Sequence, residues 1–249
     1  IRDSDKGHDR ELDLLKRSSP GIAIHGSFSL TVNYHALEQY GDQLGGETIH
    51  ASHRYANLNV NALLVGPLDG YPDTRRAFHD SIIQWGPDEL FTLKKVIESH
   101  YDELTIEQIL SYLRLNRWDP HVFLGCFPTL LKRFGPKAER LYADIREAAL
   151  RAWALYYYIG EAQDMPFCVG VTLYKIGSYE EAIQLFEVSL ALFGRDASTL
   201  YNLATCHFAL GRSEQALAYV KQTLEISPDF VAAREMQQHI EAEAGQQRL

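Results

Sequence analysis

The chain has 249 residues, 46% of them hydrophobic and 23% charged, which allows one large or two small domains with a substantial core and excludes disordered and collagen-like classes. Its formal net charge of −9 opposes binding driven by phosphate attraction, so nucleic acid is excluded as a general partner. No apolar run approaches the roughly 18 residues that a membrane-spanning helix needs, which excludes a membrane partner of that kind.

The first residues, I-R-D-S-D-K-G-H-D-R, are charged and unlike a secretory signal, and the start at Ile1 rather than methionine reads as a fragment. A short helix is expected in E-L-D-L-L-K-R before Pro20, followed by extended chain in the β-branched and aromatic run from Gly21 to Asn33. Asn33 is a suitable N-cap for a helix over Tyr34–Leu44, with Ala36, Leu37, Tyr40 and Leu44 on its apolar face and Gly45 as the stop. Strands are expected around Thr48–Ala51 and across Asn57–Val65, where Leu58, Val60 and Ala62 alternate with Asn59 and Asn61. Residues 1–66 therefore read as an α/β segment.

From residue 67 to 135 the spacing is helical throughout. Tyr71-Pro72-Asp73 opens a helix to about Trp85, and Gly86-Pro87 separates it from a second over Asp88–His100. Thr105 and Gln108 form a capping box for a helix through Leu115, and Asp119-Pro120 starts another in which Pro128 should cause a kink or break. Residues 136–249 open with a long helix expected over Lys137–Tyr158.

The strongest pattern follows, repeating at a separation of 34 residues. Gly170 recurs as Ala204, Gly177 as Gly211, Ala182 as Ala216, Phe186 as Val220 and Leu190 as Leu224. Each unit reads as two short amphipathic helices joined at a glycine, with a small residue at the crossing and a large apolar one a turn later. The polar stretch Asp229–Ala244 suits a capping helix.

The segments G-S-Y-E-E-A-I-Q-L-F and G-R-S-E-Q-A-L-A-Y-V resemble the tetratricopeptide repeat, and the resemblance spans residues 164–245. It departs from the family pattern at His207, where an aromatic is usual, at Thr223, where alanine is usual, and at Gly194, where the unit closes without proline. The resemblance implies an α-solenoid whose first helices line a groove for a protein or peptide. Here the groove positions are Phe167, Val171, Tyr174, Tyr201, Asn202, Thr205 and Phe208. Family members that capture acidic tails use lysine, arginine and asparagine at such sites, whereas this chain keeps only Asn202 and Lys175. Filling of the groove by the chain's own helices is the structural alternative.

A second resemblance joins V-N-Y-H-A-L at 32–37, N-A-L-L-V-G at 61–66 and G-P-D-E-L-F-T-L-K-K-V-I at 86–97. In this order they are similar to the C-terminal end of MidA-type S-adenosylmethionine-dependent methyltransferases, which implies the last helix and last two strands of a Rossmann-like sheet over residues 20–100. The glycine-rich cofactor loop such an enzyme needs is missing from this sequence. S-adenosylmethionine would therefore be held only by a longer protein, and the chain itself holds no cofactor.

Other constellations are weaker. His50 and His53 have a metal-ligand spacing without a third ligand, H-G-S-F-S at 25–29 lacks the strand-to-helix turn that exposes a nucleophile, and His121 with Cys126 lies in a core pattern. Cys126, Cys168 and Cys206 are scattered, forming neither a disulfide framework nor a zinc cluster, as in a cytoplasmic protein. Lys94, Lys95, Arg114, Arg117, Lys132 and Arg133 are interspersed with acids, and Tyr156-Tyr157-Tyr158 reads as helix packing.

The expected fold is mainly α, with a small N-terminal Rossmann-like α/β remnant, a helical middle and a tetratricopeptide-like solenoid. The expected function is protein interaction, with no catalytic or metal-binding residue in this chain and with self-association as a further mode. The alternative is the substrate-side half of a methyltransferase.

Overall fold

A computed structural model describes residues 2–5, 7–8, 10–15, 22–24, 28–51, 59–66 and 71–246. The chain forms two compact units, Ile1–His100 and Tyr101–Leu249.

The first unit begins with β1 (Arg2–Asp5), β2 (Gly7–His8), α1 (Glu11–Leu15), β3 (Ile22–Ile24), β4 (Phe28–Leu30) and β5 (Val32–Asn33). It continues with α2 (Tyr34–Gln43), β6 (Glu47–His50), β7 (Asn59–Leu64), α3 (Pro72–Phe78) and α4 (Pro87–Glu98). Strand β7 lies between β1 and β6 and is antiparallel to both, with Ser4 opposite Val60 and Ile49 opposite Ala62. Ala51, Val60, Ala62 and Phe78 form its core, with Ile49 and Ile82 packed against them.

Three expectations fail in this unit. The face of α2 that carries Ala36, Leu37, Tyr40 and Leu44 is exposed. Tyr34 and Gly41 are buried instead, because a methyl on Gly41 would stand 2.3 Å from Leu63 of β7, so only a bare backbone passes there. Alternation in β7 does not separate core from solvent either: Asn59 and Asn61 are 7% and 6% exposed. Each compensates with a polar contact: the Asn59 amide donates to the Gly7 carbonyl at 2.9 Å, and Asn61 Oδ1 lies 3.0 Å from His50 Nδ1. Finally, the helix from Pro72 does not stay α-helical to Trp85 but passes into a π-helical turn over His79–Ile83.

The second unit is helical among its described residues: α5 (Ile106–Leu115), α6 (Pro120–Arg133), α7 (Tyr142–Ala154), α8 (Met165–Lys175), α9 (Tyr179–Phe193), α10 (Ala197–Ala209), α11 (Ser213–Ile226) and α12 (Val231–Gln246). The segment 67–135 is thus shared, with α3 and α4 in the first unit and α5 and α6 in the second.

The capping box opens α5: the Gln108 amide donates to Thr105 Oγ1 at 3.3 Å and the Thr105 amide to Gln108 Oε1 at 2.8 Å. Between α5 and α6 the chain reverses through Arg117 and Trp118, both left-handed, with φ of 53° and 65°. The Trp118 amide donates to the Leu113 carbonyl at 2.8 Å, and the Arg151 guanidinium lies 5.4 Å from the Trp118 ring.

Pro128 does not break α6, which runs from Pro120 to Arg133. The pyrrolidine ring is exposed, and the helix carries on past the Leu124 carbonyl that the proline leaves without its amide donor. The long helix expected over Lys137–Tyr158 is instead a 3-10 turn, Pro136–Leu141, followed by α7. The helix ends before Tyr156, yet Tyr156 stacks on Trp153 of α7 at 5.5 Å and Tyr158 meets Phe193 of α9 at 5.2 Å, so two of the three tyrosines pack on helices while Tyr157 is 81% exposed.

The repeats form two helix pairs, α8 with α9 and α10 with α11. Both turns are closed by a glycine of positive φ, 81° at Gly177 and 73° at Gly211. Each turn makes the same pair of bonds, Ser178 N to Leu173 O and Gly177 N to Tyr174 O, then Arg212 N to His207 O and Gly211 N to Phe208 O, all 2.9–3.0 Å. Gly170, Ala182, Ala204 and Ala216 are buried where helices cross. In the first pair Gly170 faces Phe186, and in the second Ala204 packs with Val220 and with Ala233 of α12. Asp164 and Asp196 cap α8 and α10, accepting from Phe167 N at 2.8 Å and from Ser198 N and Thr199 N at 2.9 and 3.0 Å.

Candidate peptide-binding face

The first helix of each pair supplies the candidate face, and α12 begins 34 residues after α10 begins, at the place of a third such helix. Phe167, Val171, Tyr174, Tyr201, Asn202, Thr205 and Phe208 are all half-buried. They have neither the full burial of Leu173 or Leu203, both 0% exposed, nor the freedom of an outer helix face.

Their contacts differ. Phe167 leans into its own hairpin, with its ring 5.9 Å from Phe186, and Tyr174 lies 5.7 Å from Tyr179. Tyr201 packs against the Ala204, Val220 and Ala233 cluster and meets Phe230 at 4.9 Å. Phe208 meets the edge of His239 at 5.6 Å, and His239 Nε2 lies 3.3 Å from a Glu243 carboxylate oxygen. The Thr205 hydroxyl donates to the Asn202 carbonyl at 2.8 Å, a local bond that leaves the Asn202 amide outside it. Burial raises the pKa of Tyr201, and the neighbouring Tyr174 hydroxyl and Glu235 carboxylate add to the rise. That coupling joins side chains of α8, α10 and α12 in one neighbourhood.

Phe230, Glu235 and His239 were not among the sequence candidates, because the last helix reads as a polar cap. The signal was available: Glu235 stands 34 residues after Tyr201, and His239 34 after Thr205.

Neither Cys168 nor Cys206 is an activated thiol. Burial pushes Cys206 up to about 12, burial and then Asp164 push Cys168 up to about 12, and Cys126 is buried. His207 is 7% exposed, stacked on Tyr219 at 5.4 Å, and its pKa is lowered by burial and then by Arg212, against opposing pulls from Glu187 and Glu180. Exposed ion pairs cross between hairpins, Arg146 Nε to Glu181 at 2.8 Å and Arg212 Nη1 to Glu180 at 3.1 Å.

In the first unit His50 is engaged on both ring nitrogens, Nε2 at 2.8 Å from Glu38 and Nδ1 at 3.0 Å from Asn61. His53, and His25 and Ser27 of the H-G-S-F-S segment, lie outside the described residues. Among the described residues no group of three or more His, Cys, Asp and Glu could hold a metal, and no helix is long and apolar enough to cross a membrane.

Residues 164–229 match the family model of the tetratricopeptide repeat. Intraflagellar transport protein 70A of Danio rerio is 34% identical over 65 residues, 26% of this chain and 10% of that protein. Solved structures with similar architecture include MamA residues 41 to the end from Desulfovibrio magneticus RS-1, at 13% identity, a TM-score of 0.46 and coverage of 63% of this chain and 84% of that one. Another is TTC0263, a thermophilic tetratricopeptide repeat protein of Thermus thermophilus, at 16% identity, a TM-score of 0.41 and coverage of 67% and 86%. The repeats of this chain are therefore tetratricopeptide-like, as the 34-residue period implies.

Proposed function

We propose that this chain is a protein-interaction module, in a reducing cytoplasmic setting that keeps its three thiols free, and that it receives a segment of a partner along the first-helix face. The contact residues are Phe167, Val171, Tyr174, Tyr201, Asn202, Thr205 and Phe208, extended by Glu235 and His239. The observation that carries this reading is the shared half-burial of the seven residues on α8 and α10, with Glu235 and His239 exposed beside them on α12, on a framework matching an interaction repeat. Aromatic rings with polar tips give large contact area at low entropic cost.

Selection of 12-residue peptides from a displayed random library tests the reading. Selected peptides should lose affinity about tenfold or more in Thr205→Arg, which places a long cation on the face, and keep it in Glu225→Arg on exposed α11. Peptides indifferent to Thr205→Arg would end the proposal. Because Tyr201 supports the core cluster, its replacement by alanine would confuse binding with folding.

A second reading, the substrate-side half of a protein methyltransferase, draws support from one arrangement: α2, β6 and β7 follow one another and pair as the resemblance implies for a last helix and two last strands. The comparisons give it no support. On that reading S-adenosylmethionine would be held by residues outside this chain.

A further inference from the structure

Resting on the interaction reading, we infer that the first-helix face takes a basic segment, one presenting arginine or lysine side chains to Tyr174, Tyr201 and Phe208. Three observations converge. The Tyr174 and Tyr201 hydroxyls and the Glu235 carboxylate share one neighbourhood, and Phe208 adjoins His239, which in turn contacts Glu243. Glu235 is exposed and has no ion-pair partner among the described residues.

The nearby cations are engaged elsewhere. Over residues 164–246 there are 11 acidic and 5 basic side chains. Of the basic ones, Arg195 donates to Gln222, Arg212 pairs with Glu180, and Arg234 donates to the Pro228 carbonyl and pairs with Asp229. Lys221 is on α11, which leaves Lys175, in the last turn of α8, as the cation on a first helix.

Aromatic rings flanked by carboxylates favour a cation twice: the π-face attracts it, and the carboxylate neutralises it. An acidic tail would meet Glu235 and Glu243 against Lys175 alone. A purely apolar segment would desolvate the Glu235 carboxylate with nothing to pair it, an unfavourable exchange.

The probes are acetylated and amidated 12-residue glycine/serine peptides with four arginines or four glutamates, titrated at about 0.15 M salt, where charges beyond about 8 Å are screened. The arginine peptide should bind and shift amide resonances of α8, α10 and α12, whereas the glutamate peptide should not. Glu235→Lys/Glu243→Lys should weaken the arginine peptide about tenfold, equivalent to about 1.4 kcal/mol. Glu214→Lys/Glu225→Lys, equal in charge change but on α11, should leave it within about twofold, since distant exposed charges contribute little. Circular dichroism confirms that both variants remain helical. Equal weakening by the two reversals, no binding of the arginine peptide, or preference for the glutamate peptide would overturn the inference. In each of those cases the interaction reading survives if library peptides remain sensitive to Thr205→Arg, and falls with it if they do not.

Discussion

The two crossings of the repeats are built from complementary pairs, Gly170 with Phe186 and Ala204 with Val220, and this makes a quantitative prediction. A methyl added at Gly170 would stand 2.8 Å from Cε1 and 2.9 Å from Cδ1 of Phe186, closer than carbon atoms tolerate. Phe186 is 0% exposed and cannot swing aside. Gly170→Ala should therefore cost about 1–3 kcal/mol in overpacking, offset by about 1 kcal/mol of helix propensity, for a net loss of up to about 2 kcal/mol. Phe186→Val alone removes most of a buried ring and should cost about 2–3 kcal/mol, below the range for truncation to alanine. The double variant recreates the second crossing, where Ala204 and Val220 are both 0% exposed. Its loss should fall short of the sum of the single losses by about 1–2 kcal/mol, the coupling expected of residues in direct contact. Urea titration followed by circular dichroism measures all four corners of the cycle. Additivity within about 0.5 kcal/mol would refute the claim that these residues interlock.

Two further predictions concern the same helices. Ala182→Arg or Ala216→Arg places a long cation at a site that is 0% exposed and should cost several kcal/mol and collapse the repeats; wild-type helicity with a loss under about 1 kcal/mol would refute the register. His207 has a lowered pKa in the folded chain, so the unfolded chain binds the proton more readily. Its contribution is fully present above the ordinary histidine pKa of about 6.5 and is lost as pH falls below it, so His207→Phe should flatten the decline in stability between about pH 7.5 and pH 5.5, read by urea titration at both values.

The repeats were legible because their cause is local and recurrent. Turn glycines and crossing residues each obey a short-range rule, and the 34-residue period multiplies the signal. Asn33 and Thr105 were legible as caps for the same reason. Features decided by tertiary neighbours were not. The buried side of α2 is set by Leu63 against Gly41, and the polar-looking Asn59 and Asn61 are inside because Gly7 and His50 bond them. Arg2–Asp5 reads as a charged lead-in yet pairs with β7, since backbone pairing does not consult side-chain charge. Glu235 and His239 were passed over because polarity along the last helix suggested solvent rather than a continued surface.

The reversal between α5 and α6 sets two successive non-glycine residues, Arg117 and Trp118, in a left-handed conformation, at a cost of about 1–2 kcal/mol each. Such a bend is held partly by its own backbone, Arg117 N to Arg114 O and Trp118 N to Leu113 O, and partly by contacts beyond them. Those contacts come from further along the chain, where Arg151 of α7 sits against the Trp118 ring, and from the Asp119 carboxylate that accepts from His121 N at 2.8 Å at the start of α6. The bend is thus a clasp: Arg151 of the third helix lies over the ring that the turn presents, so the reversal between α5 and α6 is tied to α7 as well as to its own backbone.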